Sequence, residues 1–198
     1  MLLKNVEKHE LRAHFKRIRA KLEKSNKEEL DLKLAERFLT SEQYIGCRVL
    51  FAYVSTPIEV DTSVIISSAL ADGKKVAVPK CDRDGNMEFY YITELSQLKK
   101  GMFSIMEPDV ERCNKVKNYD NAVCLVPALS YDKSGSRLGF GKGCYDRFLS
   151  DFSGKKVGLI YECCMCDALP TESHDLPVDT VITEKEIYSS NKNSQAKG

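Results

Sequence analysis

The order of the apolar runs constrains this chain most: "RVLFAYVS" (48–55), then "DTSVIISSALADGK" (61–74), then "KKVAVPKC" (74–81). The outer runs are short and apolar without alternation, as in strands buried on both faces. The middle run repeats its apolar residues at helical spacing and is closed by Gly73. A strand, a helix and a second strand in that order argue for a mainly parallel sheet covered by helices. Further strand-like runs follow at "MEFYYI", "AVCLVPAL", "KKVGLIYE" and "TVIT". The first of them comes after "CDRDGN" and reads as a hairpin partner of the preceding strand. Upstream, Leu11, Phe15, Ile18 and Leu22 mark one helix, and "NKEELDLKLAERFLTS" a second, with Asn26 as its cap and Glu29 three residues on. With 198 residues the chain can bury one sizeable core but is short for two ordinary domains. The expected fold is therefore α/β, a single-domain three-layer sandwich whose mainly parallel (mixed) sheet is flanked by helices. It should occupy residues 1–188, and the polar stretch "SSNKNSQAKG" (189–198) reads as a tail outside the core.

Charge narrows the function classes. Thirty Lys and Arg against 29 Asp and Glu give a net charge of +1, without the positive excess of a nucleic-acid binder. No apolar run approaches the roughly 20 residues that span a bilayer. The basic start is broken by Glu7, His9 and Glu10, so it reads as an amphipathic helix rather than a signal peptide. A cytoplasmic protein, acting as a monomer on small molecules, is the simplest expectation. Eight cysteines suggest a disulfide or zinc scaffold, but several, such as Cys124, sit inside apolar runs where a reduced thiol is a small hydrophobe. The one Cys-x-x-Cys, Cys163 with Cys166, lacks the second pair that a structural zinc site needs.

The chemistry concentrates in "RLGFGKGCYDRF" (137–148), which lies between the strand "AVCLVPAL" and the helical pattern "CYDRFLSDF". Three glycines at a helix N-terminus let an anion approach backbone N–H groups at the positive end of the helix dipole. Arg137 and Lys142 would add charge-assisted contacts to the same oxygens. The run is neither a Walker A loop nor a dinucleotide fingerprint. Ser136 and Gly143 stand where the former needs Gly and Ser or Thr, and Cys144 where the latter needs its third glycine. A plain tight turn is the competing reading. Asp146 would repel a bound phosphate unless a cation lay between them, which points to Mg²⁺. Asp179 is the second carboxylate available to it, with Asp175 as the competitor.

Together with "KHELR" near the start, "TPIEVDT" in the middle and "LPTESHDLPVDTVITE" near the end, "VPALSYDKSGSRLGFGKGCYDRFL" resembles the 5-formyltetrahydrofolate cyclo-ligase (5,10-methenyltetrahydrofolate synthetase) family, with the blocks in order over nearly the whole chain. The resemblance implies an ATP- and Mg²⁺-dependent ring closure that needs no enzyme nucleophile. It implies that Lys8 and Arg12 reach the ATP phosphates from the first helix, and that Arg137, Leu138, Gly139, Phe140, Gly141, Lys142, Gly143, Cys144 and Tyr145 wrap the nucleotide, with Arg137 and Lys142 as the catalytic cations. Phe140 to Cys144 would also touch the folate, together with Val54 and Glu59, whose carboxylate would accept from pterin N–H groups. Asp146 and Asp179 would hold the magnesium. One departure stands out: the family carries an aromatic pair before the Asp of the glycine loop, and here the first of the two is Cys144. The segment "YECCMCDALP" is also unusually rich in cysteine. A nucleotide-binding regulator or a sugar-phosphate isomerase could share such a fold. A joint requirement for ATP and a reduced formyl-folate separates the three.

Overall fold

The computed structural model describes residues 7–101 and 105–190. The chain runs through α1 (Lys8–Ala20), α2 (Lys24–Leu39), α3 (Glu42–Gly46), β1 (Val49–Phe51), α4 (Ser63–Ala71), β2 (Lys75–Cys81) and β3 (Met87–Ile92). It continues with β4 (Leu98–Lys100), β5 (Met106–Pro108), β6 (Ala122–Val126), β7 (Ser130–Asp132) and β8 (Arg137–Leu138). Then follow α5 (Cys144–Asp151), β9 (Lys155–Leu159), β10 (Met165–Cys166), β11 (Thr180–Ile182) and β12 (Ile187–Ser189). Seven strands form the main sheet in the order β12-β11-β9-β6-β1-β2-β3. Its five inner strands are parallel, and β3 and β12 pair antiparallel at the two edges. The expected α/β architecture and the β2–β3 hairpin are both present.

Why the site lies where it does follows from the strand order. From β1 the chain crosses through α4 to β2 on one side, and from β6 it crosses through α5 to β9 on the other. Both crossovers join parallel strands and so take the right-handed path, which puts α4 and α5 on opposite faces of the sheet. The direction of winding reverses between β1 and β6. In open α/β sheets ligands bind beyond the carboxyl ends of the strands at such a reversal.

Two sets of side chains hold the elements around that point. Phe51 of β1 and Phe89 of β3 meet Phe148 and Phe152 of the α5 end, with ring centroids 4.6–6.1 Å apart. Each such pair is worth about 0.5–1.5 kcal/mol beyond its burial, so α5 is pinned from its carboxyl end. On α1, Leu11, Phe15 and Arg19 form one buried row. The Arg19 guanidinium donates to Ile58 O at 2.9 Å and to Leu129 O at 3.2 Å, tying α1 to the segments that follow β1 and β6.

Some local expectations are corrected. Asn26 does not cap α2: the helix starts three residues earlier than that cap would allow, at Lys24 behind Glu23, and no side chain caps it. β1 is only three residues long, because the chain leaves the sheet after Phe51 to build the cleft. The run "SYDKSGSR" is a hairpin, β7 against β8, that forms a second sheet with β10. The polar end is structured as far as the β12 pairing with β11 requires; residues 191–198 of the expected tail lie outside the described residues. Among the described residues no helix is long and apolar enough to cross a membrane.

Candidate active site

Beyond β1, β2 and β6 opens a cleft of about 1100 Å³, lined by Tyr53 and Glu59 after β1, Pro79 and Cys81 of β2, and Pro127 after β6. The glycine loop closes one side, and α1 lies along it with Lys8 and Arg12 facing in. The left-handed backbone of Gly141 (φ +99°) and Gly143 (φ +67°) turns the chain from β8 into α5. Gly143 is the N-cap and brings no side chain to bond the first turn, so the helix start is left to a ligand. Gly143→Ala should cost about 1–2 kcal/mol, the strain of a left-handed Cβ. The added Cβ would also lie 3.1 Å from the Arg147 guanidinium. Thermal melting checks it: a fall of about 2–8 °C is expected.

Cations converge on this loop, each held by a partner. Arg137, only 7 % exposed, pairs with Asp146 of α5, and its Nε donates to Leu176 O at 3.4 Å. Arg12 Nε donates to Gly139 O at 3.0 Å and its guanidinium packs against Gly141. Lys8 Nζ sits 2.7 Å from Asp175 and 2.8 Å from Glu172. Burial works against the Lys8 ammonium, but hydrogen bonds to these two carboxylates outweigh it and raise the pKa above the usual lysine value. For Asp175 burial likewise pushes up, and the bonds from Lys8 and from the Glu172 N–H pull the carboxyl below its usual range. Lys142 lines the cleft between Gly141 and Gly143.

Across the cleft, Glu59 is 8 % exposed and its Oε2 accepts from Thr56 N at 2.7 Å and Thr56 Oγ1 at 2.8 Å. Among the described residues only Oε2 is engaged, which leaves Oε1 to a ligand with N–H groups. Val54 and Phe140 supply apolar walls. The Tyr145 hydroxyl is buried with no hydrogen-bond partner, and burial holds its pKa well above the usual tyrosine value. An unbonded buried hydroxyl costs about 1–3 kcal/mol, which a ligand atom at that place would recover.

All the expected loop residues, with Lys8, Arg12, Val54, Glu59 and Asp146, therefore border one cleft. Asp179 does not. It precedes β11, two strands beyond β6, and its Oδ2 accepts from the Lys156 N–H at 2.8 Å. Of the two carboxylates weighed as partners of Asp146, the expected Asp179 ties β11 to β9 and is not among the residues lining the cleft, whereas the competitor Asp175 is. Arg147 was missed. Its Nη2 donates to Gly85 O at 2.7 Å and Lys142 O at 3.2 Å, bridging the β2–β3 turn and the glycine loop. Its only sequence signal is its place one turn after Gly143, a spacing many helical arginines share.

Comparison with known proteins shows the family and the fold. The model of the 5-formyltetrahydrofolate cyclo-ligase family matches residues 4–184. A 5-formyltetrahydrofolate cyclo-ligase of Escherichia coli K12 is 28% identical over 177 residues, 86% of this chain and 96% of that protein. The Mus musculus protein of the same name is 29% identical over 194 residues, 91% and 95% of the two chains. The NMR structure of Aquifex aeolicus 5,10-methenyltetrahydrofolate synthetase superposes with a TM-score of 0.85 at 29% identity, covering 96% of each chain. With the family model spanning nearly all of the chain, and the glycine loop, α1 and Glu59 gathered around one cleft, this protein is an enzyme of the 5-formyltetrahydrofolate cyclo-ligase family.

Proposed function

We propose that the cleft binds ATP and 5-formyltetrahydrofolate together and forms 5,10-methenyltetrahydrofolate, ADP and phosphate. The observation that carries this reading is the two-sided lining. The α5 start, Lys8, Arg12, Arg137 and Lys142 make one wall for phosphates, and Glu59 and Val54 make the other for a flat ring with N–H donors. The formyl oxygen attacks the γ-phosphorus and displaces ADP, giving a phosphorylated imidate. N10 then attacks the formyl carbon, and phosphate leaves with the former formyl oxygen as the ring closes. The substrate supplies both nucleophiles. What the chain must do is align them and meet the charge on the transferring group.

The side chains divide that work. Arg137 and Lys142 face the oxygens that gain negative charge, and the carboxylates of Asp146, Glu172 and Asp175 keep Arg137 and Lys8 extended towards them. Because these cations are pre-positioned, little reorganisation remains for the phosphoryl step. Magnesium fits as a companion of the nucleotide. Among the described residues no three His, Cys, Asp or Glu are grouped to hold a metal, whereas an ion carried by phosphates needs only one or two carboxylates. Asp146 would hold it, with Asp175 nearest in role as the second, and when bound it would neutralise phosphate charge. A cytoplasmic monomer acting on these two small molecules completes the reading.

Oxygen labelling tests the route. Substrate carrying ¹⁸O in its formyl group should deliver the label to inorganic phosphate, and phosphate free of label would rule out the imidate. Glu59→Gln should raise KM for the folate about tenfold to a hundredfold, the worth of a hydrogen bond to a charged acceptor. KM for ATP should move far less. Equal changes in both constants would remove Glu59 from the folate wall.

A further inference from the structure

Glu59 reaches the cleft from the segment between β1 and α4, and its aim depends on how the backbone of that segment is held. Every carbonyl from Ile58 to Val60, and the Asp61 N–H, is bonded by a buried side chain from a different part of the chain. Arg19 of α1 donates to Ile58 O at 2.9 Å. Tyr161, just past β9, holds its hydroxyl 3.3 Å from Glu59 O. Tyr53, just past β1, donates to Val60 O at 3.1 Å. Asp31 of α2 accepts from the Asp61 N–H at 3.0 Å through its Oδ1.

These supports join at Asp31. The same Oδ1 takes the shorter bond of the Tyr161 hydroxyl, at 2.6 Å, so the one phenolic proton is shared between Asp31 and Glu59 O with Asp31 the nearer acceptor. Its Oδ2 pairs with Lys27 Nζ at 2.6 Å, one turn earlier on α2. A buried carboxylate is costly unless it is paired and hydrogen-bonded, and here each oxygen is engaged. Two of the three donors come from outside α2, and both belong to the frame around Glu59. No residue of α2 lines the cleft.

We propose that Asp31 is a positioning residue for the folate: through the Asp61 N–H and Tyr161 it fixes the backbone beside Glu59 and so aims the Glu59 carboxylate at the pterin N–H groups. This role rests on the proposed folate wall. The carboxylate cannot adjust independently of its backbone, because Glu59 N donates to Thr56 O at 3.0 Å while Oε2 accepts from the same Thr56. A shift of the segment therefore carries Oε1 with it. The phosphate wall is built on α1 and the glycine loop, which Asp31 does not touch, so the effect should fall on one substrate alone.

Steady-state kinetics of the full-length protein, with the two KM values measured separately, test this. Asp31→Ala should raise KM for 5-formyltetrahydrofolate about tenfold, the worth of a hydrogen bond, and move KM for ATP by less than about twofold. Asp31→Asn keeps an oxygen for the Asp61 N–H and loses the charge opposite Lys27. It should melt at a lower temperature than the parent yet keep the parent's folate KM, which separates aim from stability. Tyr161→Phe keeps its ring under the Arg19 guanidinium and loses only the hydroxyl. It should raise folate KM about threefold, and it carries the test if Asp31→Ala does not fold. In a Glu59→Gln background Asp31→Ala should add little, because both changes act on one interaction. Unchanged folate KM in folded Asp31→Ala or Tyr161→Phe, equal rises in both constants, or full additivity with Glu59→Gln would each overturn the role of Asp31 and leave the folate wall standing. Unchanged folate KM in Glu59→Gln itself would instead overturn the folate wall, and this role with it.

Discussion

Arg137→Met should lower kcat/KM by about a hundredfold to a thousandfold, the usual cost of removing one preorganised donor from a developing anion. The same change should destabilise the fold. Breaking a buried ion pair costs about 3–5 kcal/mol when the remaining charge stays buried. Here the Asp146 side chain is 24 % exposed, so water recovers part of that loss and about 1–3 kcal/mol is expected. The two effects separate in the double variant Arg137→Met/Asp146→Asn, which no longer strands a carboxylate. It should regain most of the stability in urea melts and none of the turnover. A folded Arg137→Met protein with turnover near that of the parent would show that Arg137 holds the loop and does no more.

The second large effect concerns the support of the loop. Gly158→Ala should destabilise the protein by about 3 kcal/mol, the upper range for overpacking a close-packed interior. A Cβ at Gly158 of β9 would stand 2.4 Å from the Tyr131 ring, and Tyr131 is fully buried. That ring has nowhere to go, because its hydroxyl donates to Val126 O at 2.7 Å, at the end of β6 where the cleft begins. For a chain of this size the loss corresponds to a fall of about 6–12 °C in Tm. Tyr131→Val in the alanine background should recover part of it. An unchanged melting temperature for Gly158→Ala would mean that β7 is free to move away from β9.

Much of the fold was legible because its strands are apolar throughout and its helices periodic. The β1, α4, β2 unit, the β2–β3 hairpin and α5 behind the glycines follow from residues whose spacing serves one purpose only. The β7–β8 hairpin was not legible. The three residues of β7, Ser130, Tyr131 and Asp132, are buried by packing against β9 and β10 rather than by any local pattern. The Asn26 cap failed for a related reason. Nothing local forces the helix to begin there, and the polar residues Lys24 and Ser25 extend it at little cost.

The site divides in the same way. A glycine-rich turn with two cations announces an anion site by local chemistry, and the structure places those residues together. Partners across the chain carry no such signal. Lys8 meets Asp175 from 167 residues away, and Arg12 meets Gly139 from 127. In sequence Asp179 stood ahead of its competitor Asp175 because it immediately precedes a strand-like run. Only the strand order shows that β9 stands between Asp179 and the strand that opens the cleft. Arg19 carries no sequence signal that sets it apart from the other cations of α1, yet its burial against carbonyls of two loops anchors α1 over the reversal point.

The most direct test of the account is the formation of 5,10-methenyltetrahydrofolate, followed by its absorbance, when the purified protein meets (6S)-5-formyltetrahydrofolate, ATP and Mg²⁺. Omitting ATP or the metal provides the controls. Product that appears only in the complete mixture is the predicted result. Folded protein that binds ATP yet forms no product would contradict the proposed reaction, and product formed without ATP would contradict the phosphate wall.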